Sequence, residues 1–399
     1  MMANLFPWLV EPNWNNGVTE TLEWKTDVLP SPTGAEQRIA RRLSPRRTFE
    51  FSILIGNNDR QRFENALFIA GAAEWAMPVF ADVAVLDADH PAGVTQIAVS
   101  TAGRDFSVGG SVLLMSGLGF SADVGLATIT GISASAITLA TPLPVAWPAG
   151  SWLYPLRPAV LTDPPSLTRH TDSLFSAQIR FRVTEHNANS DSIQALPVYR
   201  NHPVLEPVSD WSEQVTGQYL RMLQELDNGS GIPVRMDTAR RAFSMTSHRW
   251  VSIGREQQAA LRRLFYFLRG RQRAIWVSSG CNDFTPMSGL ANGMIDVEYA
   301  AFAELGIVNG RCDLRIELAD GTCLYRRITG VAIINYDVER LTLDGAHVTV
   351  ALEHIVSISY ITLCRQESDS VAWQHVTDAD GLATISTTFR GLRDELESV

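Results

Sequence analysis

The 399-residue chain is poor in cysteine. It has four, Cys281, Cys312, Cys323 and Cys364, widely spaced and without a CxxC pair. Compact thiolate knuckles are therefore not expected, and four free, buried thiols of a protein assembled in a cytosol is the simpler reading. No apolar run reaches 18 residues, so no membrane-spanning helix is expected. The opening Met1-Met2-Ala3-Asn4-Leu5-Phe6-Pro7-Trp8 lacks the basic stretch followed by a long apolar one that marks a secretory signal. Charge is sparse at 19% and sums to −10, so the basic face that nucleic-acid binding requires is not expected. The catalytic signatures GxSxG, GxxxxGK[ST] and HExxH are missing as well.

What the chain does have is 45% apolar residues, enough for globular folding, and a length that suits two to four domains. Arginine far exceeds lysine, as favoured where planar ion pairs are buried or shared between subunits.

The chain also repeats itself. Arg41-Arg42, Phe51, Phe68 and Gly71 recur about 199 residues later as Arg240-Arg241, Trp250, Phe267 and Gly270. RTFEFSILI at 47–55 alternates as a half-buried strand, as does HRWVSI at 248–253. Asn57, Asn58 and Asp59 can cap a helix with Phe63, Ala66, Leu67 and Ala70 on one face. Leu261, Leu264, Phe265 and Leu268 repeat that spacing, and both helices end near a glycine ahead of an apolar strand. Farther on, Gly110 answers to Gly310, Ile129-Thr130-Gly131 to Ile328-Thr329-Gly330, and Ile137-Thr138-Leu139 to Leu341-Thr342-Leu343. Thr171-Asp172 and Phe181-Arg182 answer to Thr377-Asp378 and Phe389-Arg390, the offset growing as loop insertions would make it.

These patterns predict a mainly β fold with a few helices (α+β), built as two tandem tube-like units. Each unit is an antiparallel sheet backed by a helix, with a small β-barrel inserted. The expected division is residues 1–94 plus 158–185 for the first unit, 95–157 for its barrel, and 186–210 for an Asn-, Pro- and Ser-rich linker. Residues 211–293 plus 367–399 form the second unit and 294–366 its barrel. Residues 211–228 suggest a short helix and 390–399 a helical tail.

Three stretches resemble phage tail proteins of the distal-tail and baseplate-hub class. One is Glu23-Trp24-Lys25-Thr26-Asp27 with Gly34-Ala35-Glu36-Gln37-Arg38 and Pro45-Arg46-Arg47. The second runs from Phe267-Leu268-Arg269-Gly270-Arg271 through Trp276 to Asn282-Asp283. The third joins Phe106 to Leu114, Ile129 to Leu139, and the segment from Trp147 to Pro155. The resemblance implies a non-enzymatic virion component at the phage tail tip, made in the host bacterial cytoplasm. Its partners would be the tail tube protein above, and hub or fibre proteins below. It would form a ring with copies of itself, without a membrane, passing genomic DNA only transiently through its channel. Three copies of a doubled chain would give pseudo-six-fold symmetry, with a plain hexamer as the alternative. A hub directly below the distal ring is an alternative position, and a carbohydrate-binding baseplate module or a cell-wall hydrolase is an alternative role.

Candidate sites are few. The cysteines Cys281, Cys312, Cys323 and Cys364 are the weak candidates for a metal, with none expected, and no cofactor or catalytic residue is expected. His170 beside Asp172, and Asp87 and Asp89 beside His90, read as turn and strand-end features. Trp147 and Trp152 form the close aromatic pair that sugar stacking would use. Arg262, Arg263, Arg269, Arg271 and Arg273 are the candidate subunit interface, facing acidic residues such as those in 213–227 or Asp394, Glu395 and Glu397. The first half has a comparable run in Arg38, Arg41, Arg42, Arg46 and Arg47.

Overall fold

A computed structural model describes residues 6–393 except 188, 194, 195, 207, 208, 213, 309 and 379. The protein is mainly β, with pairing that is almost wholly antiparallel. The first half runs β1 (Phe6–Pro7), β2 (Val18–Pro30), β3 (Glu36–Gly56), α1 (Asn57–Ala70), β4 (Trp75–Pro78), β5 (Ala84–Val85) and β6 (Gln96–Ala98). It continues with β7 (Ser111–Ser116), β8 (Asp123–Ser133), β9 (Ala136–Leu139), β10 (Trp152–Leu161), β11 (Leu167–Arg169) and β12 (Leu174–Val183). A small hairpin, β13 (Val198–Tyr199) and β14 (His202–Pro203), lies in the 186–210 segment. The second half runs β15 (Gly217–Leu226), β16 (Val234–Ser252), α2 (Arg255–Leu268), β17 (Ile275–Ser278), β18 (Met294–Glu298), α3 (Phe302–Leu305) and β19 (Asp313–Leu318). After these come β20 (Cys323–Ile333), β21 (Val338–Leu343), β22 (Ile355–Gln366), β23 (Ser370–His375) and β24 (Ala383–Gly391).

Most pairings of one half recur in the other, though β10 also pairs with β5, Trp152 facing Val85, without a match among the described residues of the second half. β3 pairs with β2 and β12, as β16 pairs with β15 and β24. β10 pairs with β4, β7 and β12, as β22 pairs with β17, β19 and β24. The chain β7–β8–β9–β6 is matched by β19–β20–β21–β18. Even an irregularity recurs: β8 shifts register between Ile129 and Gly131, β20 between Ile328 and Gly330. In each case the glycine lies 3.5 Å, at its would-be Cβ, from a threonine, Thr138 or Thr342. The last strands match at two offsets. On one edge Phe51 faces Ile179 and Trp250 faces Ile385, an offset of 206. On the other edge Leu161 faces Phe181 and Gln366 faces Phe389, and both phenylalanines pack on the aromatic ring of the first strand, Phe51 or Trp250.

Each helix lies on one face of the sheet, as its apolar spacing requires. Phe63 and Ala70 of α1 are buried, with Ala66 and Leu67 packed beside them. Leu261, Leu264, Phe265 and Leu268 fill the same role in α2. The asparagines do not cap α1: the N-cap is Gly56, with no side-chain hydrogen bond, and Asp59 supplies the favourable charge in the first turn. Buried side chains gather in two large clusters per half. In the first half these are a sheet–helix cluster around Trp8, Phe51, Phe63 and Phe181, and a second around Leu114, Ile137, Trp147 and Leu153. In the second half they centre on Trp250, Phe265 and Trp373, and on Phe284, Leu314 and Tyr360. β10 serves both clusters of its half, so the expected boundary at 157 falls inside a strand.

Two expectations fail. Residues 211–228 do not form a helix: 217–226 are β15, paired with β16 along its length. The backbone gains a partner strand there, and Asp227-Asn228-Gly229, with Gly229 at φ 70°, turns the chain back. The β3 strand also begins well before residue 47. Pro45, which has no N–H to offer, falls where the β2–β3 ladder skips from Arg46 to Arg42. Of the expected helical tail, residues 394–399 lie outside the described residues.

Candidate functional site

The two halves share one sheet because β2 has two partners. One edge pairs with β3, the other with β23, from Val18 opposite His375 to Glu23 opposite Ser370. Side chains on one face of β2 then enter the second half: Leu22 and Trp24 belong to its core, and Trp24 packs edge-on against Tyr266 of α2 at 5.6 Å. Residues expected to belong to the first unit thus complete the core of the second.

On that same face, Glu20 is 1% exposed and holds the centre of an ionic network. Its Oε1 accepts from Arg47 Nε at 2.7 Å and from Arg262 Nη1 at 2.7 Å. Its Oε2 accepts from Arg262 Nη2 at 2.8 Å and faces His375 Nε2 at 2.9 Å. Arg47 continues to Asp105, which Arg157 grips with two nitrogens at 2.6 and 3.0 Å. Arg157 also donates to Glu185 at 2.7 Å. At the start of α2, Arg255 reaches Asp82 at 2.5 Å, the Ala81 carbonyl at 2.6 Å and the Asp378 carbonyl. Burial opposes the charge on Glu20, yet Arg262 and Arg47 outweigh it and hold the carboxyl well below its ordinary range. Asp105 is lowered in the same way, by Arg47 and Arg157 against burial. Nearly every acceptor in this network is taken by a guanidinium, so it can fix two halves together.

A second set of contacts lies along the β2–β3 arm, which extends over the second half. Arg365 binds Glu36 through two hydrogen bonds of 2.7 and 3.0 Å, both residues being nearly inaccessible. Arg393 donates to the Thr33 carbonyl at 2.6 Å. Gly34, at φ +87°, sits so close to Phe243 that a Cβ would lie 2.3 Å from the ring. Asp369 accepts from the Thr26 N–H at 2.7 Å and from the Arg271 N–H at 2.9 Å.

Four of the five arginines expected at a subunit interface find acids in this same chain. Arg262 binds Glu20. Arg269 and Arg273 both reach Asp191, at 3.2 and 3.4 Å, and Arg273 lies 4.7 Å over the Phe267 ring. Arg271 donates to the Thr26 carbonyl and to Asp369 at 3.1 Å. Arg263 lines a pocket with Ser192, Trp250 and Gln257. Of the acids proposed for them, Glu225 pairs with Arg235 at 2.5 Å, while Glu213, Asp394, Glu395 and Glu397 lie outside the described residues. In the other run, Arg41 pairs with Asp27 and Arg42 donates to the Glu23 carbonyl.

The cysteines stay apart: Cys281 is exposed, Cys323 half-buried, Cys312 and Cys364 buried. Among the described residues, no three His, Cys, Asp or Glu side chains gather to hold a metal. Burial pushes the Cys312 thiol up to about 11 and that of Cys364 up to about 12. His170 is exposed and meets Ser176 Oγ at 2.9 Å. His375, in the similar stretch 374–378 of the second half, lies at the buried seam. Asp89 accepts from the Ala149 N–H, and His90 Nε2 from the Ala98 N–H, so both fasten loops. Trp147 is buried at 2% exposure and cannot stack on a sugar.

Glu20, Asp105 and Arg157 were not singled out from the sequence, because the partners in this network stand up to 355 positions apart. The recurring sequence pattern was the available signal, since similar units in tandem would have to meet at a junction. No protein-family model matches the chain, and no curated protein matches it.

Proposed function

We propose that the chain is a structural ring component of a tailed-phage tail tip, connecting tail tube to baseplate. It would be built from two tube-like units in tandem, each with an inserted small barrel. The observation that carries the reading is the recurrence of most strand pairings of residues 18–183 in residues 217–391, with a shared register shift before Gly131 and Gly330. Two similar units side by side in one sheet suit a ring whose symmetry is twice its copy number. The resemblance of Glu23–Asp27, Gly34–Arg38 and the 267–283 stretch supplies the phage context. The saturated ionic network favours a structural role over chemistry, and buried Trp147 weakens the sugar-binding alternative.

The test is the mass of the assembled particle by native mass spectrometry, against 43.9 kDa for one chain, joined to symmetry analysis of images. A three-copy ring with six similar lobes is the expected result. Six copies with twelve lobes would overturn the reason given for the doubling, and a monomer that ignores tail tube and hub proteins would overturn the reading.

A further inference from the structure

Several strands of this chain have one partner strand, and two of them matter here. Among the described residues, β15 pairs with β16 alone and β11 with β12 alone. By the strand correspondence, β15 is the second-half equivalent of β2, and β11 of β23. The two bare strands are therefore the counterparts of the two that meet inside the chain at the β2–β23 seam. We propose that the seam is repeated between copies, with β15 and its hairpin arm docking on β11 and α1 of a second copy of this chain.

The residues follow from register. Glu23 faces Arg46, and Gln218 faces Met245, one offset of 199 away. The residue after each is Trp24 or Tyr219, so Tyr219 stands where Trp24 does. The helices match at 255 to 57, an offset of 198 and not the 199 read from the sequence, so Phe68 stands where Tyr266 does and not where Phe267 does. Inside the chain that pair is closed, Trp24 at 1% exposure and Tyr266 at 7%. The counterparts are open, Tyr219 at 65% and Phe68 at 93%. Asp369, which binds the β2 backbone at Thr26, lies just before β23, and Asp163 lies just before β11, where it lines an open groove with Phe68, Pro165 and Leu167.

The arms tell the same story. The β2–β3 arm is fastened to the second half by Glu36–Arg365, Arg393 and Phe243. The β15–β16 arm instead exposes Leu223, Leu226, Ile232, Val234 and Met236. A ten-residue edge strand with apolar side chains in water invites another strand, and chains that persist with such an edge normally cover it. A second copy is the fitting occupant, because its β11 edge and α1 face are bare counterparts of the surface already seated on β2. Such a contact joins unlike surfaces, so it propagates head to tail and closes into a ring when the rotation allows.

The proposal rests on the ring reading, and the test separates the two. In a Cys281→Ser background, Phe68→Cys and Tyr219→Cys are combined in the full chain and oxidised. Covalent multimers up to the ring copy number are expected, and none from either single cysteine. Separately, Phe68→Glu and Leu223→Glu, both at exposed positions, should reduce the native mass to that of one chain while circular dichroism stays unchanged. A ring that survives both glutamates and yields no cross-link overturns this interface and leaves the ring standing. A chain that stays monomeric without any substitution overturns both. Cross-linking of Phe68→Cys only to a tail protein of different sequence would give the surface another occupant and overturn the proposal.

Discussion

Glu20 and Arg262, 242 positions apart, meet through two hydrogen bonds of 2.7 and 2.8 Å with the carboxylate almost sealed from solvent. The pair spans the boundary between the halves, one residue on β2 and the other on α2. Replacing Glu20 by Gln leaves Arg262 and Arg47 buried without their counter-charge. A loss of about 3–5 kcal/mol is expected, since breaking one side of a buried ion pair strands the other. Urea unfolding of the isolated chain measures it. A loss below 1 kcal/mol, roughly the worth of an exposed pair, would mean that the seam opens to water.

Acid should weaken the fold in two stages. Burial alone pushes His248 from 6.5 down to about 4, so the unfolded chain takes up that proton first. Stability is then complete above pH 6.5 and falls by at most about 1.4 kcal/mol per pH unit as pH drops toward 4. Glu20 and Asp105, lowered from 4.5 and 3.8, keep their full contribution above those values and lose it below them. Urea midpoints between pH 8 and 3 should show a gentle slope and then a steep one. The His248→Phe variant should lose the gentle part and keep the steep one.

How far the sequence was legible depended on distance along the chain. The helix faces at Phe63 and Leu261, the alternating strands at 47–55 and 248–253, and the matched Ile129 and Ile328 phrases are local patterns set by residues a few positions apart. Residues 217–226 misled because Tyr219, Met222, Leu223 and Leu226 fall at i, i+3, i+4 and i+7, the spacing of one helix face. What decided the matter was β16, a partner the segment does not itself encode. The seam was illegible for a stronger reason. Glu20, Arg47 and His375 look like ordinary scattered charges until β2 is placed beside β23, and that placement depends on the whole fold. The arginine cluster was visible, but its acids, Glu20, Asp191 and Asp369, could not be named from spacing.

Gly34 tests whether the β2–β3 arm is seated as firmly as its contacts indicate. Alanine there must adopt φ +87° and place a Cβ 2.3 Å from the Phe243 ring. Gly93→Ala is the control, since it has φ +89° and nothing within 4 Å. The control should cost about 1–3 kcal/mol from backbone strain. Gly34→Ala should cost more and should raise proteolysis near residues 31–35, where the arm is levered away from Arg365 and Arg393. Equal losses for the two would show that Phe243 yields freely and that the arm is held elsewhere.

Trp24 and Phe68 occupy related positions with opposite exposure, so truncating each should separate what holds one chain from what is left open on it. Trp24→Ala empties a site between β2 and Tyr266 inside the second-half core. The expected cost is about 3–5 kcal/mol, the range for removing a large buried aromatic side chain. Phe68→Ala removes a ring that touches water on nearly every side, and should shift the stability of the isolated chain by no more than about 0.5 kcal/mol. Both are measured by urea unfolding in dilute solution, where contacts between copies are weakest. If Phe68→Ala were as damaging as Trp24→Ala under those conditions, the ring would have to be buried within the single chain, and α1 would have no open face for another copy to cover. If Trp24→Ala were harmless, the β2–β23 seam would contribute little, and a repeat of it between copies would have little to hold it.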